Sequence, residues 1–456
     1  MRVLVAVGAA VAAAGATVGG MTWGATTVER QYERAWDMIE QEGTFEIVSM
    51  EYQRGLRSSS ARTEFALRDP VWDEIADDLS GGAVQRMVFV LEDSIDHGPV
   101  FFGGDGRFGA ARIASELTVD DAIREGLPWL GDRRSLANVH TVVDFNGSGR
   151  ARYTSPAFEE ELPSGQSVRF SGLTGTSRFN RTFDEQSGDL VADSLVVDEI
   201  EGGGRLSIRD VAIEADLRAI GSNIWAGTTT FRLGEFVVDT PDDAMEARGL
   251  DGTWVLDEDD GLLTSEMALG LERFHLREAG ADHAFDNMRL RMTAHSIDAG
   301  VAEQLIEWTE QLNLGQMGEN EYAMRSMSAV PELLAANPRI TVDEFHMETP
   351  DGVFTGSLGA EWVGGAPDMN NPFALFNGLA VDFSLTGPEK WWGVALGGMG
   401  GGVAGSAGPQ AVEELVNQGL MVRDNGEVTL EFGVRDGMIQ AQGQTLGSVW
   451  QFLGAM

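Results

Sequence analysis

Cysteine is absent from the 456-residue chain. That excludes disulfide bonds, thiolate metal centres and thiol nucleophiles. Lysine is nearly absent too. Of 32 basic residues only Lys390 is a lysine, and the others are arginines. They are outnumbered by 72 acidic residues, which leaves a net charge of −40. Attraction to phosphate depends on Lys and Arg, so binding to nucleic acid or to an anionic membrane surface is disfavoured, and no nucleic-acid partner is expected. The acidity reads either as the solvated surface of a salt-adapted, halophilic protein or as a recruiter of cations. The 58 glycines and the many alanines suit the first reading, because they mark a GC-rich coding bias.

Catalytic signatures are missing as well. No His-Glu-x-x-His and no Gly-x-Ser-x-Gly occurs among the six histidines and the serines. Gly400-x-Gly402-x-x-Gly405 matches a dinucleotide fingerprint only formally, since it lies in a Gly-rich run and not between a strand and a helix. Asp257-Glu258-Asp259-Asp260-Gly261 has a calcium-loop composition, but its Gly falls one position early and Ala268 stands where the bidentate Glu belongs. It reads as an exposed turn. His275 and His283 bracket a turn and would form a metal pair only by meeting across a hairpin. No metal and no cofactor is therefore expected. The catalytic candidates are weak: Asp96 and His97, a carboxylate beside an imidazole in Asp96-His97-Gly98-Pro99, the composition of a general base. Adjacent residues of an extended chain point to opposite faces, which argues for a structural turn.

Charge is also missing from the N-terminus. Between Arg2 and Glu29 there is none, and Val3–Ala25 is apolar throughout or nearly so. The segment is long enough to cross a bilayer core of about 30 Å, and Arg2 places its start in the cytoplasm. It is either a retained signal anchor or a cleaved signal, and the continuous helical pattern of residues 27–41 (Val28, Tyr32, Ala35, Trp36, Ile39) favours retention. Gly15 and Gly19, spaced for close helix approach, offer a homodimer contact.

The remaining pattern is mostly short alternating runs with hairpin turns at Asp105-Gly106, Asn146-Gly147, Asp251-Gly252, Asn425-Gly426 and Asp436-Gly437. One spacing recurs, apolar–x–apolar–x–x–apolar–x–apolar. It is seen at Leu206/Ile208/Val211/Ile213, Phe231/Leu233/Phe236/Val238, Leu269/Leu271/Phe274/Leu276 and Ile340/Val342/Phe345/Met347. The step of three flips the apolar face unless one extra residue is absorbed as a β-bulge. Helices are expected after Asp298, which can cap one, over Glu319–Ala336 closing on Asn337-Pro338, and after Pro409. Strands are expected at Arg339–Thr349, Val353–Trp362 and Leu379–Thr386.

The expected fold is therefore α+β and β-dominated: a large curved antiparallel sheet of bulged strands with a helical insertion, preceded by an N-terminal transmembrane helix. The segments are 1–26 signal anchor, 27–43 juxtamembrane amphipathic helix, 44–297 β-rich region, 298–338 helical insertion and 339–456 C-terminal β region. The sheet encloses either a packed core or an open apolar groove.

Several pieces together resemble the YdgA-like family of bacterial envelope proteins, a domain of unknown function. They are the N-terminal anchor; Tyr52-Gln53-Arg54-Gly55-Leu56-Arg57-Ser58-Ser59; Asp93-Ser94-Ile95-Asp96-His97-Gly98-Pro99; the helices closing on Asn337-Pro338; and the tail Asp436-Gly437-Met438-Ile439-Gln440-Ala441-Gln442-Gly443. The tail departs from the family's usual Asn-Gly at Gln442-Gly443. The resemblance implies a single-pass inner-membrane protein with a periplasmic, β-rich body and no assigned activity. On this reading it is non-enzymatic and binds a lipid, another apolar ligand or an envelope protein. A loose similarity to AsmA-like proteins points to lipid handling, and the alternative is a periplasmic hydrolase using Asp96 and His97.

Overall fold

The computed structural model describes residue 36 and residues 45–67, 88–101, 108–119, 135–161, 166–200, 203–241, 243–278, 281–313, 315–367, 377–392, 409–449 and 451. The expected anchor at 3–25, Gly15 and Gly19, the Asp105-Gly106 turn and the Gly400–Gly405 run lie outside these residues. So does the expected helix at 27–41, except for Trp36, which is helical and fully buried. Among the described residues no helix is long and apolar enough to cross a membrane. The fold is β-dominated, with a large open antiparallel sheet and few helices.

Two compact units divide the chain. The first runs to Ala219 and adds Phe231–Pro241 and Gln311–Met317. It contains β1 (Phe45–Gln53), β2 (Ser58–Leu67), β3 (Val88–His97), β4 (Ala111–Val119), β5 (Ala137–Val143), β6 (Gly149–Ser155), β7 (Phe158–Glu161), β8 (Ser167–Phe170), β9 (Leu173–Phe179), β10 (Glu185–Ile200) and β11 (Gly204–Ala219). Successive strands from β1 to β6 pair as an antiparallel meander. Then β6 pairs β9, and β9 and β8 lie in turn along one edge of β10, whose other edge takes β11. Alternation is clean in β4, where every second residue from Ala111 to Val119 is buried, as period-2 patterning with one core face requires. Phe65 is the hub of this core. Its ring lies 5.0 Å from Trp36, 5.5 Å from Phe45 and 5.5 Å from Phe89.

Strand β12 (Trp225–Asp239), which carries the Phe231–Val238 pattern, contributes residues to both units. The second unit holds β13 (Ala244–Asp259), β14 (Leu262–Glu278), β15 (Ala281–Asp298), α1 (Ala299–Asn313), α2 (Glu319–Ala335), β16 (Arg339–Thr349), β17 (Gly352–Trp362), β18 (Leu379–Pro388), α3 (Pro409–Asn417), β19 (Met421–Asp424), β20 (Glu427–Arg435), β21 (Met438–Ala441) and β22 (Gln444–Ser448). The last residues of α1 fall in the first unit. Pairing runs β13–β14–β15–β16–β17–β18–β20–β21–β22, all antiparallel. Asp298 caps α1 as expected, its Oδ1 accepting the Val301 N–H at 2.9 Å.

The hairpin chemistry follows the residues. Asp260-Gly261, Asn425-Gly426, Asp436-Gly437 and Gln442-Gly443 each have positive φ at both positions, the requirement of a type I′ two-residue turn. Gln442 is the poorest of these turn formers, yet its Nε2 donates to Thr429 O at 2.9 Å. This reaches across the gap where β19 and β21 share one edge of β20.

Two expectations fail. Asp251-Gly252 is not a turn, since it sits inside β13 opposite Gly270 and Leu269. Its flanking apolar residues are part of one long ladder, which overrides the local turn preference. The bulges also differ. In β16 the register does shift, between Val342 and Phe345. In β11, however, Leu206, Ile208, Val211 and Ile213 face Val197, Leu195, Ala192 and Leu190 without a shift. In β14, Leu269, Leu271, Phe274 and Leu276 face Gly252, Leu250, Ala247 and Met245, again without one. Left-handed residues mark the irregular step instead: Asp210 in β11 (φ 55°), Gly249 in β13 (φ 63°) and Asn287 in β15 (φ 48°). When two paired strands are irregular at the same height, neither has a residue to spare and the register is kept. A Cβ on Gly249 would lie 2.4 Å from Glu272 Cγ, so both φ and space favour glycine there.

Candidate functional site

The two family-like segments meet at the ends of β2 and β3. Ser58 lies opposite Asp96 and Ser59 opposite Ile95. Ser59 Oγ and His97 Nε2 share a hydrogen bond at 2.8 Å, and the Gly55 N–H donates to the same Oγ at 3.3 Å. The His97 N–H donates to Arg57 O at 2.8 Å, closing the loop between β1 and β2 onto β3. Two glycines make this possible. A Cβ on Gly55 would stand 2.0 Å from Ser58 O, and one on Gly98 would stand 1.8 Å from Gly109 O. The Gly98–Pro99 peptide is cis.

Asp96 and His97 take different hydrogen-bond partners. Asp96 Oδ2 accepts from Arg112 Nη2 at 2.6 Å, and the Arg112 guanidinium lies over the Phe101 ring at 5.5 Å. His97 bonds Ser59 instead. Burial lowers the His97 pKa below its ordinary value, although the Asp96 charge pulls the other way. The two side chains are therefore two separate fastenings, one per strand face, as expected of adjacent residues in an extended chain. The partner that matters, Ser59, was not singled out, although it ends the Tyr52–Ser59 segment. The pairing joins residues 38 positions apart, which spacing alone does not reveal.

The two other polar candidates also separate. His275 bonds Asp282 across the β14–β15 hairpin. His283, opposite Leu276, meets the edge of Trp391 with ring centroids 5.7 Å apart. Glu258 Oε1 accepts the Gly261 N–H at 2.8 Å, so this acidic side chain of the calcium-like loop fastens a hairpin.

The second unit carries a different kind of surface. Three rows of cross-strand neighbours traverse seven strands, from β13 to β20. One runs Gly252, Leu269, Leu290, Phe345, Gly356, Leu385, Leu430. The next runs Trp254, Met267, Met292, Val342, Leu358, Phe383, Phe432. The third runs Leu256, Ser265, Ala294, Ile340, Ala360, Val381, Val434. Directly opposed residues share a face, so this is one apolar face without an ionisable side chain in its rows. At the β17–β20 end it is packed: Phe354, Leu385 and Val428 are buried with Trp391, Trp392, Met421 and Val412 of α3. Trp392 Nε1 donates to Gly387 O and Val428 O at 3.2 and 3.1 Å. Toward β13 the face is not covered. Trp254 is 50% exposed and Ile340 42%, while Met267, Leu269, Leu290 and Met292 are only half-buried.

The described residues thus combine a β-rich architecture with a fastened motif and a half-exposed apolar face. The chain belongs to DUF945, a family of bacterial proteins of unknown function, whose model matches residues 2–447. No curated protein matches it, and no solved structure does.

Proposed function

We propose that the chain is an envelope protein whose β-rich body holds the acyl chain of a lipid against the apolar face of β13–β16. One observation carries the reading: the three apolar rows continue from a packed end into a half-exposed one without a charged residue. The four strands β13–β16 at about 4.8 Å spacing make the uncovered part of the rows roughly 14 Å long. That is about half the bilayer core of about 30 Å, the depth that one acyl chain fills. Met267 and Met292, directly opposed, are unbranched and adapt to flexible ligands. Exposed apolar area of this extent costs about 25 cal/mol per Å² until something covers it. The YdgA-like assignment, the tether to the inner membrane through Val3–Ala25, the homodimer contact at Gly15 and Gly19 and the periplasmic placement of the body belong to the same proposal, and rest on the sequence. The role is non-enzymatic. The hydrolase alternative loses its basis in the separate partners of Asp96 and His97.

The test is mass spectrometry of lipids that co-purify with the full-length, detergent-extracted protein. Wild-type protein should retain lipid, and Met292→Glu should lose most of it with an unchanged circular dichroism spectrum. Wild-type protein free of lipid would sink the reading.

A further inference from the structure

An open pocket of about 560 Å³ lies where β15 and β17 end and β16 begins, lined by His295, Asn337, Arg339, Glu361, Trp362 and Val363 among others. Its volume is in the range of small-ligand sites, about 300–1,000 Å³. The rim is rigid. Asn337 Oδ1 accepts the N–H groups of Gly364 and Gly365 at 3.2 and 3.0 Å, and Trp362 Nε1 donates to Gly365 O at 2.6 Å. Asn337 adopts φ 54°, so the chain leaving α2 is turned back onto the loop after β17.

Across this pocket runs a charged row. His295 lies opposite Arg339, and Arg339 opposite Glu361. Opposed side chains start about 5 Å apart at Cβ, which is close enough for Arg339 and Glu361 to pair. Neither forms an ion pair among the described residues, and both are exposed. The pocket thus holds a cation and an anion side by side and not closed on each other, beside the apolar wall of Trp362 and the 59%-exposed Val363; Glu361 also feels the charge of Arg435, whose own ion-pair partner is Asp382.

We infer that this pocket binds a phosphate–ammonium zwitterion of the phosphoethanolamine type. The Arg339 fork and the His295 ring supply adjacent donors for phosphate oxygens, and Glu361 takes the ammonium. A lone anion meets Glu361 and a chain of net charge −40. A lone cation meets Arg339. Only a ligand carrying both charges satisfies the row. This inference stands on the pocket and does not depend on the apolar face.

The same head group occurs free or on a lipid, so the experiment has two arms on the full chain. Glycerophosphoethanolamine is titrated calorimetrically, with glycerol phosphate and ethanolamine as half-ligands, and phosphatidylethanolamine vesicles are compared with phosphatidylcholine vesicles in flotation. Each half-ligand should bind at least about tenfold more weakly than the whole. Arg339→Gln should lower zwitterion affinity about tenfold or more, and Glu361→Gln should do so without weakening glycerol phosphate. Binding of the free compound identifies a soluble source; selective flotation alone identifies the lipid. Glycerol phosphate binding as tightly as the zwitterion, either substitution without effect, or no binding in both arms would overturn the inference.

Discussion

Strands β2–β5 and strands β13–β16 are built by the same antiparallel pairing and end in opposite states. In the first group one face is sealed: Phe65, Phe89, Leu91, Ile95, Ile113 and Leu117 have no exposed surface. In the second the strands are longer, yet Leu263 is the one large apolar side chain that is buried. Backbone ladders satisfy N–H and C=O groups equally in both. The ladders are therefore common to both groups, and burial is what separates a core from a half-open face.

Four substitutions probe that contrast. Phe65→Ala removes the ring shared by Trp36, Phe45 and Phe89, and should cost about 3–5 kcal/mol in urea unfolding. A cost near that of a surface change would mean the first unit is not held by this core. Ser59→Ala strips His97 and Gly55 of a shared partner and should cost about 1–3 kcal/mol.

His97 adds a pH signature. Burial lowers its folded pKa below 6.5, so between the two values the unfolded chain binds more protons. Its contribution is then fully present above about pH 6.5 and is lost as pH falls through the folded pKa. His97→Gln should flatten this part of the acid limb in melts taken from pH 7.5 to 5; an identical limb would show that His97 titrates alike in both states. At the small end, Met267→Ala on the half-exposed face should cost under about 1 kcal/mol. It should still weaken the fluorescence response to an apolar dye. A loss as large as that of Phe65→Ala would show this row to be a core after all.

Much of the fold was legible locally. The strands at Arg339–Thr349 and Leu379–Pro388, the cap at Asp298 and the turns at Asn425-Gly426 and Asp436-Gly437 all follow from short-range chemistry. The step-of-three spacing marked the right places, but a bulge in one strand and matched irregularities in two have the same pattern. Asp251-Gly252 misled because a turn dipeptide says nothing about the strands on either side. In the candidate site, Gly55 and Gly98 lie within the two segments that carry the family resemblance, whereas the Ser59–His97 bond and the divergence of Asp96 toward Arg112 arise from register between β2, β3 and β4.

The sequence by itself determined the acidic, cysteine-free character, the family, the strand-rich class and most hairpins, because these depend on composition and on residues a few positions apart. Tertiary structure alone decided which apolar strands are sealed and which stay half open. It also decided that Arg339 and Glu361 share a pocket without pairing. Both depend on long-range register, and a period-2 pattern reads the same whether or not anything lies across from it.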